Sequence, residues 1–133
     1  MARTTIVFNN LPGIVAKVEA ALEGVIKESA ENIREDVHRE MNKPKHGRFY
    51  VIGGKPHTAS APGEAPAVFT GDLIASIKEK KVGKLTWIVP AEGKQALWEY
   101  GLYGFPARPY FRPASAKEFP NFERECIKAL KSV

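Results

Sequence analysis

The chain has 133 residues, of which 44% are hydrophobic and 26% charged. These are ordinary values for one globular domain, outside the range of disordered, collagen-like or fibrous chains. No apolar run approaches the ~18 residues of a bilayer span, the N-terminus lacks the apolar core and cleavage pattern of a secretory signal, and Cys126 is the lone cysteine. Residence inside a cell, without a disulfide or a cysteine-based zinc site, is therefore expected.

The formal net charge of +5 is unevenly spread. Residues 12–41 carry four Lys and Arg against seven Asp and Glu, whereas residues 42–133 carry fifteen against eight. Two readings fit the split: a solvated acidic helix beside a basic sheet, or charge complementarity between neighbouring copies.

From Leu11 to Met41 apolar residues recur mostly at steps of three and four, the pattern of one long amphipathic helix over 11–42. Asn10 is placed to cap it, Pro12 suits its first turn, and Pro44 stops it by excluding Lys43 from the helical region. Such a helix is about 45 Å long, whereas a compact chain of this size has a radius of gyration of about 14 Å. It should overhang its own domain and seek a partner, unless it breaks near Gly24 and folds back.

Arg48 to Ile52 alternates aromatic and branched residues and reads as a short strand. Residues 53–69, rich in proline and glycine and poor in large apolar side chains, read as an extended or mobile loop from Lys55 to Ala67 that orders against a neighbouring subunit. Thr70 can cap a short helix carrying Leu73, Ile74 and Ile77. Lys78 to Val82, a Gly83-Lys84 turn and Leu85 to Val89 make a hairpin. Residues 96–100 fit a helical turn or a strand. A terminal helix over 113–133 has Pro113 in its first turn and Pro120 as a kink or restart. The sum is a single α+β domain: long N-terminal helix, small mainly antiparallel sheet with a hairpin, short middle helix and C-terminal helix.

Patterns that carry chemistry are sparse. Glu35 and His38 form Glu-x-x-His on a helix, but the second copy that a di-iron site requires is missing from the sequence. His46 and His57 lack matching ligand pairs, no phosphate-binding glycine motif occurs, and Cys126 falls among apolar helix positions as a structural thiol. No catalytic residue, cofactor-binding residue or metal ligand is assigned, and no enzyme activity is expected. Lys78, Lys80, Lys81 and Lys84 gather on one hairpin and permit nonspecific phosphate contacts, which keeps a basic nucleic-acid-binding module as the alternative. The stretch from Trp98 to Arg112 concentrates Trp98, Glu99, Tyr100, Tyr103, Phe105, Arg108, Tyr110 and Arg112, residue types of interface hot spots, and fits either a partner contact or a plug in the chain's own core.

Two runs, HTASAPGEAPAVFTGDLIASI (57–77) and ALWEYGLYGFPARPYFRPA (96–114), carry a further signal. Their motifs in order are Ser60, Ala61, Pro62, Gly63, Glu64 and Pro66; Thr70, Gly71, Leu73, Ser76 and Ile77; Glu99 and Gly101; and Arg108, Pro109, Tyr110, Phe111, Pro113 and Ala114. This order resembles the small tail-completion or head-tail joining proteins of long-tailed bacteriophages. Phe69, Tyr100 and Leu102 depart from that pattern at points of local capping and loop detail.

The resemblance implies a structural virion protein of the neck or tail, assembled in the host cytoplasm. Its partners would be itself, in a homo-oligomeric ring with a hexamer among the options, the head-connector and tail-tube or tail-terminator proteins, and the packaged DNA that passes through. It implies no membrane contact. Ser60, Pro62, Gly63, Glu64 and Pro66 would then form an inter-subunit loop, and the Trp98 to Arg112 residues an oligomer interface.

Overall fold

A computed structural model describes residues 5, 10–90, 95–101 and 104–133 of the chain. The fold is α+β, in the order α1 (Leu11–Asn42), β1 (Phe49–Ile52), β2 (Lys55–Thr58), α2 (Asp72–Ser76), β3 (Lys80–Gly83), β4 (Thr86–Ile88), α3 (Gln95–Tyr100) and α4 (Phe111–Lys131).

Helix α1 runs unbroken through Gly24, so the folded-back alternative does not arise. Its buried residues, Ser29, Ala30, Asp36, Val37 and Met41, all lie in its C-terminal half. There it packs on α4, with Asp36 accepting from Lys117, and Ser29 and Asn32 both donating to Glu118. Val37 and Met41 share the core with Tyr110 and Ala114 near the start of α4, so the two helices are antiparallel. Thirty-two residues against twenty-one leave α1 longer than α4 by about 16 Å. The excess shows at its N-terminal end, where Leu11 is 66% exposed and Ile14 and Val15 are also bare.

Instead of one sheet, the described residues form two separate antiparallel hairpins, β1 with β2 and β3 with β4. The first departs from the sequence expectation of a mobile loop after Ile52. Gly53 and Gly54 both adopt positive φ and form a two-residue turn that returns the chain as β2. Pro56 is tolerated because it faces Val51, and the alternation from the turn makes this a non-hydrogen-bonded pair in which its missing N–H is not needed. In the second hairpin Leu85 takes a left-handed φ of 53°, and its N–H donates to the Glu23 carboxylate of α1 at 3.1 Å. An α1 side chain thus holds a turn that few non-glycine residues adopt.

Residues 96–100 resolve as helix within α3, and α4 begins at Phe111 rather than 113. Helix α4 passes through Pro120 without a restart. Thr70 Oγ accepts from the Asp72 N–H at 3.3 Å, while Gly71, at φ 86°, is the residue that flanks α2. The core gathers Val37, Met41, Ala65, Ile77, Tyr110 and Ala114 at the C-terminal end of α1, where the middle segments converge.

Candidate functional site

The two motif-bearing stretches meet each other. Arg108 donates from Nε to Ser60 Oγ at 2.8 Å and from its fork to the Ser60 carbonyl, while the Gly63 N–H donates to the Ala107 carbonyl at 3.0 Å. Ser60 is buried, as are Ala65 and Pro66. Ala61 to Glu64 closes a turn with the Glu64 N–H on the Ala61 carbonyl at 3.0 Å, with Pro62 and the positive-φ Gly63 in its centre. That is the residue pair a type II turn requires. The Glu64 carboxylate accepts from the Ala61 and His46 N–H groups at 3.0 and 3.1 Å and lies 2.6 Å from His46 Nδ1. The Ala61 N–H above all, with His46 assisting against a partial loss of hydration, holds Glu64 down at about 2. Gly47 fits beneath this loop only because a side chain there would strike the carbonyl oxygens of Ala59 and Ser60.

The segment predicted to order against a neighbour is therefore ordered against its own chain. Residues 55–58 are a strand and residues 59–66 are pinned by Arg108, His46 and the Ala107 carbonyl. Density of proline and glycine signals a lack of regular structure, and here rigid turns supply the order instead.

The second stretch is organised by one carboxylate. Glu99, 5% exposed, accepts from the backbone N–H groups of Tyr110, Phe111 and Arg112 at 2.9, 3.0 and 2.7 Å, and from Arg112 Nε at 3.2 Å. The first N–H groups of a helix have no internal acceptor, and Glu99 supplies one from eleven residues away. Burial alone would push this acid up, but the three N–H groups and Arg112 outweigh it and hold Glu99 below the usual carboxylate range. Arg112 also reaches the Glu99 carbonyl and lies 4.8 Å over the Tyr100 ring. The Arg108 N–H donates to the Trp98 carbonyl at 2.6 Å, Trp98 meets Phe105 edge-on at 5.3 Å, and Arg108 sits 4.8 Å over Phe105.

Of the eight residues grouped as an interface from sequence, Glu99 and Tyr110 are buried inside the protomer, whereas Trp98, Phe105, Arg108 and Arg112 are engaged along the seam with the Ser60 loop or the start of α4. Tyr100 is exposed beside Arg112, and Tyr103 lies outside the described residues. Tyr110 is 1% exposed, and burial, assisted by the Glu99 charge, pushes its hydroxyl up to about 12. That hydroxyl has no hydrogen-bond partner among the described residues.

The lysine hairpin turns two of its four charges onto α1. Lys81 pairs with Glu23 at 2.8 Å and Lys84 with Glu19 at 2.8 Å. Lys81 above all, with the Trp87 indole N–H, holds Glu23 below its ordinary range. Lys78 and Lys80 are exposed and have no acidic partner among the described residues. The unequal charge of the chain's two parts is thus met in part within one copy, also by Lys117 with Asp36 at 2.9 Å, while Arg34 with Glu79 at 2.6 Å joins the minority charges of the two parts. Glu23 was the organising residue that pattern reading missed, and the acidic helix opposite a lysine hairpin was its signal.

His38 bonds the Ile77 carbonyl at 2.8 Å, and His57 meets Phe69 edge-on at 4.8 Å. Among the described residues no three His, Cys, Asp or Glu side chains gather into a metal-binding group, and no helix is long and apolar enough to cross a membrane. Cys126 is half-buried, and burial pushes its thiol up, away from reactive thiolate.

Among the apolar surfaces that the described residues leave bare, which include Phe119, Ile127 and Leu130 on α4, two lie on projecting elements. One is the overhang of α1. The other is β1, in which Phe49, Tyr50, Val51 and Ile52 are all exposed, Phe49 and Val51 by 61% and 65%. A two-stranded hairpin standing alone is marginal in water, and one apolar on both faces invites association. No family model, curated protein or solved structure matches the chain.

Proposed function

We propose that the chain is a non-enzymatic structural protein of a bacteriophage neck or tail, which multimerises into a ring joining the tail tube to the head connector and leaving a passage for DNA. The observation that carries this reading is the uncovered apolar surface on two projecting elements, the α1 overhang at Leu11, Ile14 and Val15 and the β1 strand at Phe49 to Ile52. Elements that leave the body of a domain with bare apolar side chains are contact surfaces for other subunits. The motif resemblance to tail-completion and head-tail joining proteins gives that contact its biological setting. The alternative, a basic nucleic-acid-binding module, loses support because Lys81 and Lys84 spend their charge on Glu23 and Glu19.

Sedimentation velocity and native mass spectrometry over a wide concentration range test the proposal, alone and with purified products of neighbouring head and tail genes. Closed multimers or a complex with those products are expected. A monomer that stays unchanged at high concentration and in every mixture overturns the reading. DNA affinity at low ionic strength that falls steeply with salt, in a chain that never multimerises, would favour the alternative.

A further inference from the structure

The two edges of the β1–β2 hairpin are not equivalent. Its two-residue turn makes Ile52 with Lys55 a hydrogen-bonded pair, so Tyr50 with His57 is the next one, and the Ala59 N–H on the Arg48 carbonyl at 2.9 Å keeps the same phase. Phe49 and Val51 lie between those pairs and turn their N–H and C=O groups outward. Among the described residues no strand takes up that outer edge. On β2 the outward positions are Pro56 and Thr58, and Pro56 has no N–H to offer. One edge of the hairpin is therefore fit to accept a strand, and the other is blocked.

The open edge is complementary to itself. Two β1 strands laid antiparallel with Tyr50 opposite Tyr50 bring Phe49 of each copy opposite Val51 of the other, and their outward N–H and C=O groups then meet in hydrogen-bonded pairs. This register uses the whole of Arg48 to Ile52. It sets aromatic against branched side chains on one face and aromatic against aromatic on the other, both favourable cross-strand pairs. Arg48 falls opposite Ile52 of the second copy, so no like charges face each other directly. The exposure of the four side chains, from 42% at Tyr50 to 65% at Val51, leaves this surface free to be covered. Over two copies they offer at most roughly 800 Å² if each aromatic side chain covers ~150–250 Å². That is the size of a weak, reversible contact.

We propose that in the free chain two copies pair through their β1 edges, antiparallel about Tyr50, into a four-stranded sheet in the order β2, β1, β1, β2. Pro56 then stands on both outer strands and keeps further strands from adding, so the pairing ends at two copies. This contact goes beyond the ring reading. It is two-fold, whereas a ring closes by a head-to-tail contact, and a weak pair can part when a ring forms.

The test uses the full chain with Cys126→Ser, carrying Tyr50→Cys, Val51→Cys or Lys78→Cys, each oxidised with copper phenanthroline at high protein concentration. Residues opposite each other in a non-hydrogen-bonded pair have Cα atoms about 4.5 Å apart, within reach of a disulfide, whereas the two copies of residue 51 stand about 8 Å apart and are not. Tyr50→Cys is expected to give a disulfide-linked dimer, and Val51→Cys and the exposed Lys78→Cys to give little. In the unmodified chain Val51→Pro removes an outer-edge N–H and none of the hairpin's own bonds, so it is expected to abolish the dimer in sedimentation velocity while the melting temperature stays put. Tyr50→Cys linking no better than Lys78→Cys overturns the pairing, as does a dimer that persists in Val51→Pro. Dominant Val51→Cys products overturn the register about Tyr50. A ring assembled from chains that never show the Tyr50→Cys link overturns the pairing and leaves the ring reading standing; the link in a chain that never forms a ring, alone or with neighbouring gene products, does the reverse.

Discussion

The loop cluster around Arg108 and the β1–β2 arm differ in how they use what they have. In the cluster nearly every polar group is matched inside the chain: Glu99 takes three N–H groups, Arg108 takes Ser60, and Glu64 takes Ala61 and His46. In the arm, four large side chains in a row face water. Hot-spot residue types therefore do not by themselves mark an interface. Trp98, Arg108 and Arg112 in the cluster are engaged within the protomer, and the arm, written in plain strand residues, is a surface that the proposed assembly would cover. Substitutions separate these roles, because the cluster should govern stability and the arm should govern assembly.

The largest stability effect is expected at Glu99. Glu99→Ala leaves the Tyr110, Phe111 and Arg112 N–H groups without their acceptor at the buried start of α4, a loss of about 3 kcal/mol for hydrogen bonds to a buried charge. Urea unfolding would show it as a lower midpoint, and hydrogen exchange would quicken first at residues 110–112. Little change in midpoint would show that water caps α4 as well as the carboxylate does. Arg108→Lys comes next. It keeps the charge but cannot reproduce the fork onto the Ser60 hydroxyl and carbonyl, so a loss of about 1–2 kcal/mol is expected in the same measurement.

Glu64 gives the cluster a dependence on pH whose sign is fixed. Its carboxyl sits at about 2 in the folded chain against an ordinary 4.5, so the unfolded chain binds the proton more readily. The stabilisation is complete above pH 4.5, declines as the pH falls below it, and is gone once the pH passes through about 2. Glu64→Gln should therefore lower the melting temperature at neutral pH and flatten its decline between pH 4.5 and 2, with the two curves converging at the acid end. Parallel curves over that window would show that other carboxyls govern the acid limb. The lowered Glu99 titrates with the same sign, so the Glu64→Gln chain keeps part of the decline.

The sequence reading located those elements whose cause is local and missed those whose cause is distant. Helix α1 was legible because its apolar spacing, Pro12 and Pro44 are all in the stretch itself. The lysine hairpin was legible from Gly83 between two short apolar stretches, although Gly83 pairs with Thr86 and the turn falls on Lys84 and Leu85, one place beyond the expected Gly83-Lys84. Strand β2 was not, because Lys-Pro-His-Thr has the composition of a loop and becomes a strand only through the Gly53-Gly54 turn and the register that puts Pro56 opposite Val51. The start of α4 moved from Pro113 to Phe111 because its cap is the Glu99 carboxylate, which no window around residue 111 contains. The Pro-rich loop looked mobile for the same reason, since Arg108 and His46 reach it from 48 and 18 residues away. The exposure of Phe49 to Ile52 was equally hidden, because alternation identifies a strand but not which of its faces is left uncovered.

The smallest expected effect on stability is also the one that most sharpens the contrast between cluster and arm. Phe49→Ser and Val51→Ser remove large apolar side chains, a change that in a core would leave cavities worth several kcal/mol. Here both side chains are mostly in water already, so the folded chain loses little contact relative to the unfolded one, and the unfolding free energy should stay within about 0.5 kcal/mol. The multimer population at fixed concentration should fall all the same, because the apolar area removed is the area association would cover. A large drop in midpoint for either variant would place these side chains in the protomer's own core, and the arm would then cease to be a separate surface.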